Sequence, residues 1–363
     1  MKILLVITGL GVGGAERLVT NLADRFVALG HEVTLAYFQG DVGLRPIDKR
    51  VRLVCLDLER SPLGVLRGLW NLRKLIRRDR PDVVNSHMVH PNILCRLLRL
   101  VTPMERLVCS AHNINEGGRL RMLGYRVTHR MAEVLTNVSE EAVQAFIDKK
   151  AALPERITVL LNGVDTDLFS YNDEARQAVR HELAVESDQL VFLAVGRLEE
   201  QKDYPNLLNA LRKLVDQEMQ PLLLIAGDGL QRDELESLAE LLNIADRVRF
   251  LGVRHDIPAL MSACDVFVLS SAWEGFGLVV AEAMATERVV IGTDCGGVKE
   301  VIDDAGILVP SRDVCALADA MGKVFLLNQD ERNALGRKAR KRVVNNYSLG
   351  ATAINYINVY RAC

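Results

Sequence analysis

The chain is poor in the residues that mark several protein classes. Cysteine occurs seven times, at 55, 95, 109, 264, 295, 315 and 363, and no two stand in C-x-x-C spacing. An odd, scattered set argues against a disulfide framework and against a zinc site, so reduced thiols in a cytosolic protein are expected. Aromatic residues make up only 5%, and none interleave with the basic runs in a stacking pattern, which argues against a nucleic-acid-binding protein. No apolar run reaches the roughly 20 residues of a spanning helix. The opening KILLVI breaks at Thr8-Gly9, so neither a membrane span nor a secretory leader is expected. Short repeats and low-complexity tracts are missing too, which sets aside solenoids and disordered arrays.

What is present is ordinary in amount and uneven in place. The 363 residues are 49% hydrophobic and 25% charged, which suits a soluble protein of two domains. The net charge of -2 conceals an asymmetry. Residues 1–170 carry 24 Lys/Arg against 18 Asp/Glu, and residues 60–130 carry 14 against 4. A concentrated basic excess calls for an anionic partner surface, nucleic acid or acidic lipid.

Short Val/Ile/Leu runs alternate with helix-like stretches from end to end. KILLVIT, EVTLAYF, PDVVNS, ERLVCSA and EVLTNVS come first; LVFLAVG, PLLLIAG, RVRFLG, CDVFVLS and RVVIGT follow. Continuous apolar strands separated by helices predict parallel sheets covered on both faces, hence two doubly wound α/β domains. The rhythm restarts after NGVDTDLFSYNDEA, so the boundary is expected near 165–175: residues 1–168 plus 346–363 form the first domain, 169–345 the second. The last stretch, YSLGATAINYINVY, reads as a helix that returns to the first domain. Ligands of such folds sit at the carboxyl ends of strands, and the motifs below all follow strands. They are expected to form one site in the cleft between the domains.

TGLGVGGAERL opens the first helix, and Gly9, Gly11 and Gly14 satisfy G-x-G-x-x-G. A dinucleotide site also needs an acidic residue after the second strand. That strand ends TLAYFQG, with no acid before Asp41. The nicotinamide reading therefore loses its ribose partner, while backbone approach to a phosphate at the helix start survives. In the second half, Arg197 and Lys202 follow an apolar strand and offer a fork and a point charge to a diphosphate. SSAWEGFGLVVAEAMA then places Glu274 in a loop and Glu282 on a helix, two carboxylates suited to sugar or ribose hydroxyls. The N–H groups of Gly277 and Leu278 at that helix start suit a phosphate. The rival reading is a hydrolytic carboxylate pair, for which the two cations would be surplus.

With GVGGAER, SAHN, NVSEEA, LNGVDTDLF, VGRLEEQKDYPNLL, IAGDGLQRDELE and the E-x7-E run EGFGLVVAE in hand, the chain resembles retaining GT-B glycosyltransferases of family 4 over nearly its whole length. PDVVNSHMVHPNIL with CSAHNINEGG resembles the O-antigen and exopolysaccharide transferases of that family. The resemblance implies a UDP-sugar donor, a polyprenyl-diphosphate-linked glycan acceptor, no cofactor and no metal. It implies that Glu282 binds the ribose, that Glu274 and His112 face the donor sugar, and that Arg197 and Lys202 hold the diphosphate with Gly13 and Gly14. Asn162, Gly275, Phe276, Gly277 and Leu278 complete the donor site, and Val253 lies by the base. His87, His90 and Arg119 are expected at the acceptor. The letters Asp165-Thr166-Asp167 look like a metal motif, but beside Asn162 and Gly163 they read as a turn.

The basic excess then has a use. Residues 63–78 carry Leu66, Leu69, Trp70, Leu72 and Ile76 at helical spacing beside Arg67, Arg73, Lys74, Arg77 and Arg78. With Arg119, Arg121 and Arg126 they suit the anionic inner face of the cytoplasmic membrane. The alternative enzyme is a UDP-sugar 2-epimerase or hydrolase of the same fold. A nucleic-acid binder and an NAD-dependent dehydrogenase are the other classes weighed.

Overall fold

The computed structural model describes every residue except 12, 60, 114–117 and 363, and the side chain of Arg119. It divides into two units, Met1–Gly163 with Leu349–Cys363, and Val164–Ser348. The division lies a few residues from the expected 168/169 and 345/346. Val164 bridges Ser348, and its N–H donates to the Tyr347 carbonyl at 2.8 Å, so residues 164–168 run with the second unit.

In unit 1 the strands are β1 (Lys2–Ile7), β2 (Glu32–Tyr37), β3 (Arg52–Cys55), β4 (Val83–His87), β5 (Leu107–Ser110), β6 (Val134–Asn137) and β7 (Ile157–Val159). They form one parallel sheet in the order β3-β2-β1-β4-β5-β6-β7. The connecting helices are α1 (Gly14–Ala28), α2 (Pro62–Asp79), α3 (Val89–Arg99), α4 (Arg119–Thr128) and α5 (Glu140–Asp148). Burial on both faces explains why β1 reads as an unbroken apolar run. Ile3, Leu5 and Ile7 face α1 and the last helix, Leu349–Ala362; Leu4 and Val6 face a second core built with α2 to α5. The last helix docks through Tyr356 and Tyr360, both buried against Phe26.

Unit 2 holds β8 (Val191–Val195), β9 (Leu222–Ala226), β10 (Val248–Gly252), β11 (Val266–Leu269), β12 (Val289–Asp294) and β13 (Ile307–Pro310), parallel in the order β10-β9-β8-β11-β12-β13. Its helices are α6 (Asp173–Glu182), α7 (Tyr204–Asp216), α8 (Arg232–Leu241), α9 (Ile257–Ala263), α10 (Leu278–Ala285), α11 (Val298–Ile302), α12 (Val314–Phe325) and α13 (Gln329–Asn346). Phe192, Ala194, Leu223, Ile225, Val266 and Val268 pack one face of the sheet against α7, α8 and α12. Both sheets reverse direction at an inner pair of strands: β1 and β4 in unit 1, β8 and β11 in unit 2. Chains leaving such a pair diverge to opposite sides and open a crevice at their carboxyl ends. Among the described residues no helix is long and apolar enough to cross a membrane.

Candidate active site

The loops after β8 and β11 flank the reversal point of unit 2, and they are bonded to each other. The Ser270 hydroxyl donates to the Lys202 carbonyl at 2.8 Å, and the Ala272 N–H donates to the Gln201 carbonyl at 2.9 Å. Lys202, at the end of a short turn at Glu200–Lys202, directs its ammonium onto Oε1 of Glu274. The two side chains are only 16% and 10% exposed. Glu274 also accepts from the Ser271 hydroxyl at 3.0 Å, and its Oε2 lies 3.4 Å from the Gln201 amide. An ion pair this enclosed keeps most of its Coulomb energy, and removing one partner leaves a costly lone charge.

Glycine backbone makes the arrangement fit. Gly296 has φ +56°, and a Cβ there would stand 2.0 Å from the Glu274 carbonyl oxygen. The Gly297 N–H donates to the Gly275 carbonyl at 3.0 Å, and the Thr293 hydroxyl donates to the Ser271 carbonyl at 2.6 Å. The loop after β12 thus braces the loop of Glu274. On the other side of β8, Gly227 has φ +144°, and a Cβ there would meet the Gly196 carbonyl oxygen at 1.9 Å. The ends of β8, β9 and β10 are therefore closely stacked. Only a residue without a side chain serves at either place.

Other expected residues of this unit fall as follows. Arg197 is exposed and pairs with Glu199 at 2.9 Å. Gly277 does not begin the helix; it caps α10 at φ 78°, and Leu278 is the first helical residue. Glu282 is buried within α10. Glu274 stands in the loop before α10 and Glu282 within the helix, so the two carboxylates belong to different elements. Gly275 is buried, and Phe276 packs edge-on against Tyr347 with ring centroids 5.7 Å apart. Val253 is exposed just beyond β10. The Tyr204 hydroxyl donates to the Gly196 carbonyl at 3.1 Å, and burial, then the nearby Glu274 charge, pushes that phenol upward.

In unit 1 the reversal point is lined by the glycine loop after β1 and by His87 at the end of β4. Gly13 caps α1 in an extended conformation and Gly14 opens the helix. Gly9, Gly11, Gly13 and Gly14 are not among the glycines with positive φ, and the space beside Gly11 and Gly14 is open. Backbone angles therefore do not require glycine here, although a Cβ on Gly13 would crowd the Glu16 carboxylate and one on Gly9 would stand 3.2 Å from the Gln39 carbonyl oxygen. His87 is fully buried, which takes it out of direct reach of an acceptor and corrects that expectation. Its Nδ1 lies 3.1 Å from Nε2 of His112, with the rings stacked at 5.3 Å and 21°. Burial holds His87 well below the usual histidine range, the neighbouring His112 adding to it, and burial holds His112 down to about 4. His90 is exposed in the first turn of α3. Asn162 is buried, and its Oδ1 has no hydrogen-bond partner among the described residues. The side chain of Arg119 lies outside the described residues. The described residues contain no cluster of three metal-ligating side chains. Asp165 accepts from the N–H groups of Asp167 and Leu168, each at 3.2 Å, as a turn does.

Three participants escaped the sequence reading: Gln201 and Ser271, which hold Glu274, and the brace at 293–297. The paired glycines of TDCGG after a strand were the available signal for the brace. Gln201 and Ser271 carry no signal of their own, because their role exists only once the two loops meet.

Residues 175–342 match a family model described as glycosyl transferases group 1, and residues 12–168 match glycosyltransferase family 4. The chain is similar to a D-inositol 3-phosphate glycosyltransferase of Corynebacterium urealyticum, 35% identical over 77% of this chain and 71% of the other. It is also similar to the UDP-Gal:alpha-D-GlcNAc-diphosphoundecaprenol alpha-1,3-galactosyltransferase of Escherichia coli, 26% identical over 78% of this chain and 76% of that one. Among solved structures it shares its fold with Anabaena HepE in complex with UDP, at a TM-score of 0.85, 22% identity and full coverage of both chains.

Proposed function

The chain belongs to the group 1 glycosyl transferases, and we propose that it moves a hexose or N-acetylhexosamine from a UDP-sugar to a lipid-diphosphate-linked saccharide, retaining the anomeric configuration and needing no metal ion. The observation that carries this reading is the enclosed Lys202–Glu274 pair at the reversal point of unit 2, with Arg197 beside it in sequence and Glu282 buried on α10. The name of the Escherichia coli relative supports the donor and the acceptor class.

In this reading the donor diphosphate displaces carboxylates. Lys202 leaves Glu274, Arg197 leaves Glu199, and both cations turn to the phosphates. The released Glu274 accepts from hydroxyls of the sugar, and Glu282 accepts from the ribose. Val253 lies by the base, and the Gly275–Leu278 loop closes on the donor. In unit 1, Gly13 and Gly14 are assigned to the diphosphate, Asn162 and His112 to the donor sugar, and His90 and Arg119 to the acceptor. When the bond from the anomeric carbon to the phosphate oxygen breaks, its electron pair stays on that oxygen. Lys202 and Arg197 stabilise the growing charge, and a preorganised donor of this kind contributes about 3 kcal/mol. The acceptor hydroxyl forms the new bond on the same face and gives its proton to the departing phosphate oxygen.

The second proposed partner is an anionic membrane. Leu63, Leu66 and Trp70 on α2 are exposed at helical spacing, and so are Leu120, Leu123 and Val127 on α4. Arg67, Lys74, Arg77, Arg121 and Arg126 are exposed beside them. Leu72 and Ile76 of the expected stripe are core residues instead, so the apolar surface is shorter than its spacing suggested. Apolar ridges among cations suit the interface of an acidic bilayer.

Thermal shift with UDP, GDP and NAD, EDTA present throughout, tests the donor assignment. Ligand at 100 times its dissociation constant adds about 2.7 kcal/mol. Stabilisation by UDP that disappears in Glu282→Ala and Arg197→Ala is the expected result. Stabilisation by NAD alone would overturn it.

A further inference from the structure

The strands that part at the reversal point of unit 2 leave one backbone donor without a partner. β8 lies between β9 and β11. Its pairing with β11 ends at Leu193–Phe267, whereas its pairing with β9 runs on to Val195–Ala226. Beyond the strand the chain keeps to β9. The Gly196 N–H donates to the Ala226 carbonyl and the Leu198 N–H to the Asp228 carbonyl, both at 3.0 Å. Alternate N–H groups of an extended chain point to opposite sides. The N–H of Arg197, between those two, is therefore turned towards the β11 side. It has no acceptor among the described residues. The Arg197 carbonyl is taken by the Glu199 N–H at 2.9 Å, and the guanidinium pairs with the Glu199 carboxylate.

The peptide that carries this N–H is held from the β9 side. The Tyr204 hydroxyl donates to the Gly196 carbonyl at 3.1 Å, and Tyr204 is 2% exposed. Gly227 presses on the same carbonyl oxygen, so closely that a Cβ there would stand 1.9 Å from it. The C=O and N–H of one trans peptide point in opposite directions. Fixing the Gly196 carbonyl towards β9 therefore fixes the Arg197 N–H away from it. The Lys202 side chain crosses the same residue: a Cβ on Gly196 would lie 2.8 Å from Lys202 Cε. The open N–H thus adjoins the enclosed Lys202–Glu274 pair, and neither member of that pair occupies it.

We propose that the main-chain N–H of Arg197 is a further binding group for the donor diphosphate, and that Tyr204 is a positioning residue that sets it through the Gly196 carbonyl. An anionic oxygen is the acceptor this place suits. The nearest charges of the chain that a ligand can recruit are two cations, Lys202 and the Arg197 side chain, and a backbone N–H bonded to an ionised oxygen belongs to the stronger class of hydrogen bond. The N–H is oriented by the fold, so the ligand orders no side chain in meeting it. The inference rests on the reading of unit 2 as the donor site.

The test uses the full chain labelled with 15N-arginine, as wild type and Tyr204→Phe, with UDP and uridine as probes. Arg197→Lys identifies the Arg197 backbone signal by its absence. In the wild type, UDP should move that amide proton downfield, as a new bond to an ionised oxygen does. Uridine, which has no phosphate, should leave it in place. Tyr204→Phe removes only the hydroxyl. It should shift the same signal in the unliganded protein and weaken UDP about fivefold, the scale of one lost hydrogen bond, while uridine affinity keeps its wild-type value. General damage to the fold would weaken both ligands, so a loss confined to the one with phosphates marks positioning. UDP that binds with the Arg197 amide unmoved would overturn the proposal, and so would wild-type UDP affinity in Tyr204→Phe or an equal loss for UDP and uridine. Failure of the donor reading looks different: UDP moves no arginine signal and leaves the melting temperature unchanged, and the proposal then falls with it.

Discussion

The Lys202–Glu274 pair can be weighed by a double-mutant cycle of Lys202→Met, Glu274→Gln and the two combined. Removing one member of a fully buried ion pair costs about 3–5 kcal/mol. Here Glu274 keeps the Ser271 hydroxyl and the Gln201 amide, and both side chains retain slight exposure. Lys202→Met should therefore lie lower, at about 2–3 kcal/mol. Glu274→Gln keeps an acceptor for Ser271 but strands the ammonium, for about 1–2 kcal/mol. The double variant has no stranded charge, so the single effects should not add, and a coupling of about 1.5 kcal/mol is expected. For a unit of this size each kcal/mol moves the midpoint by about 2–4 °C. Calorimetry of the unliganded protein reads all four corners, and the same samples give UDP affinity. A coupling under about 0.5 kcal/mol, the scatter of independent sites, would refute the pairing. UDP affinity should fall in Lys202→Met and hold in Glu274→Gln, whose transfer rate falls instead. Equal loss of UDP in both would refute the exchange of partners.

Four further outcomes follow from the geometry. Glu199→Gln removes the counter-ion of Arg197; because that pair is exposed, stability should move by less than about 1 kcal/mol, while titration at low salt shows tighter UDP binding that 0.5 M (about a 4 Å screening length) abolishes. Gly227→Ala, at φ +144° with a carbonyl oxygen 1.9 Å from the new Cβ, should cost about 3 kcal/mol or more in urea unfolding; wild-type stability would contradict the packing described. The folded His112 is lowered from 6.5 to about 4, and His87 shifts the same way. The unfolded chain then binds more protons across that window, so stability is complete above about pH 6.5 and is lost as pH falls towards 4; His112→Gln should flatten that part of the pH–stability profile. Sedimentation with anionic vesicles at low salt should retain the wild type and lose a Leu66→Ser/Trp70→Ser/Leu123→Ser variant, with neutral vesicles retaining neither.

The sheet interiors were legible in the sequence because their strands are buried on both faces and read as apolar runs. The strands that went unread, β3, β7 and β13, all lie at sheet edges, where partial burial breaks the run. Legibility of the site followed a similar rule. Arg197, Lys202, Glu274 and Glu282 follow strands and carry charge, so position and chemistry both announced them. Their partners did not: Glu274 meets Lys202 across 72 residues of sequence, and the bond exists only because β8 and β11 are neighbours. His87 was expected at the acceptor because it follows a strand beside His90. The fold buries it by setting His112 and the last helix over it, a relation between segments that no local pattern contains. The stripe on α2 was split in the same way, its later half entering the core while Leu63, Leu66 and Trp70 stayed outside.

The most direct measurement is UDP release from UDP-hexoses by the purified protein in EDTA, with and without a lipid-diphosphate-linked saccharide. Release that appears only with the acceptor, and that Lys202→Met abolishes, is the predicted result. Release at the same rate without acceptor would make the protein a hydrolase or epimerase, and no release from any UDP-hexose with the acceptor present would contradict the donor assignment itself.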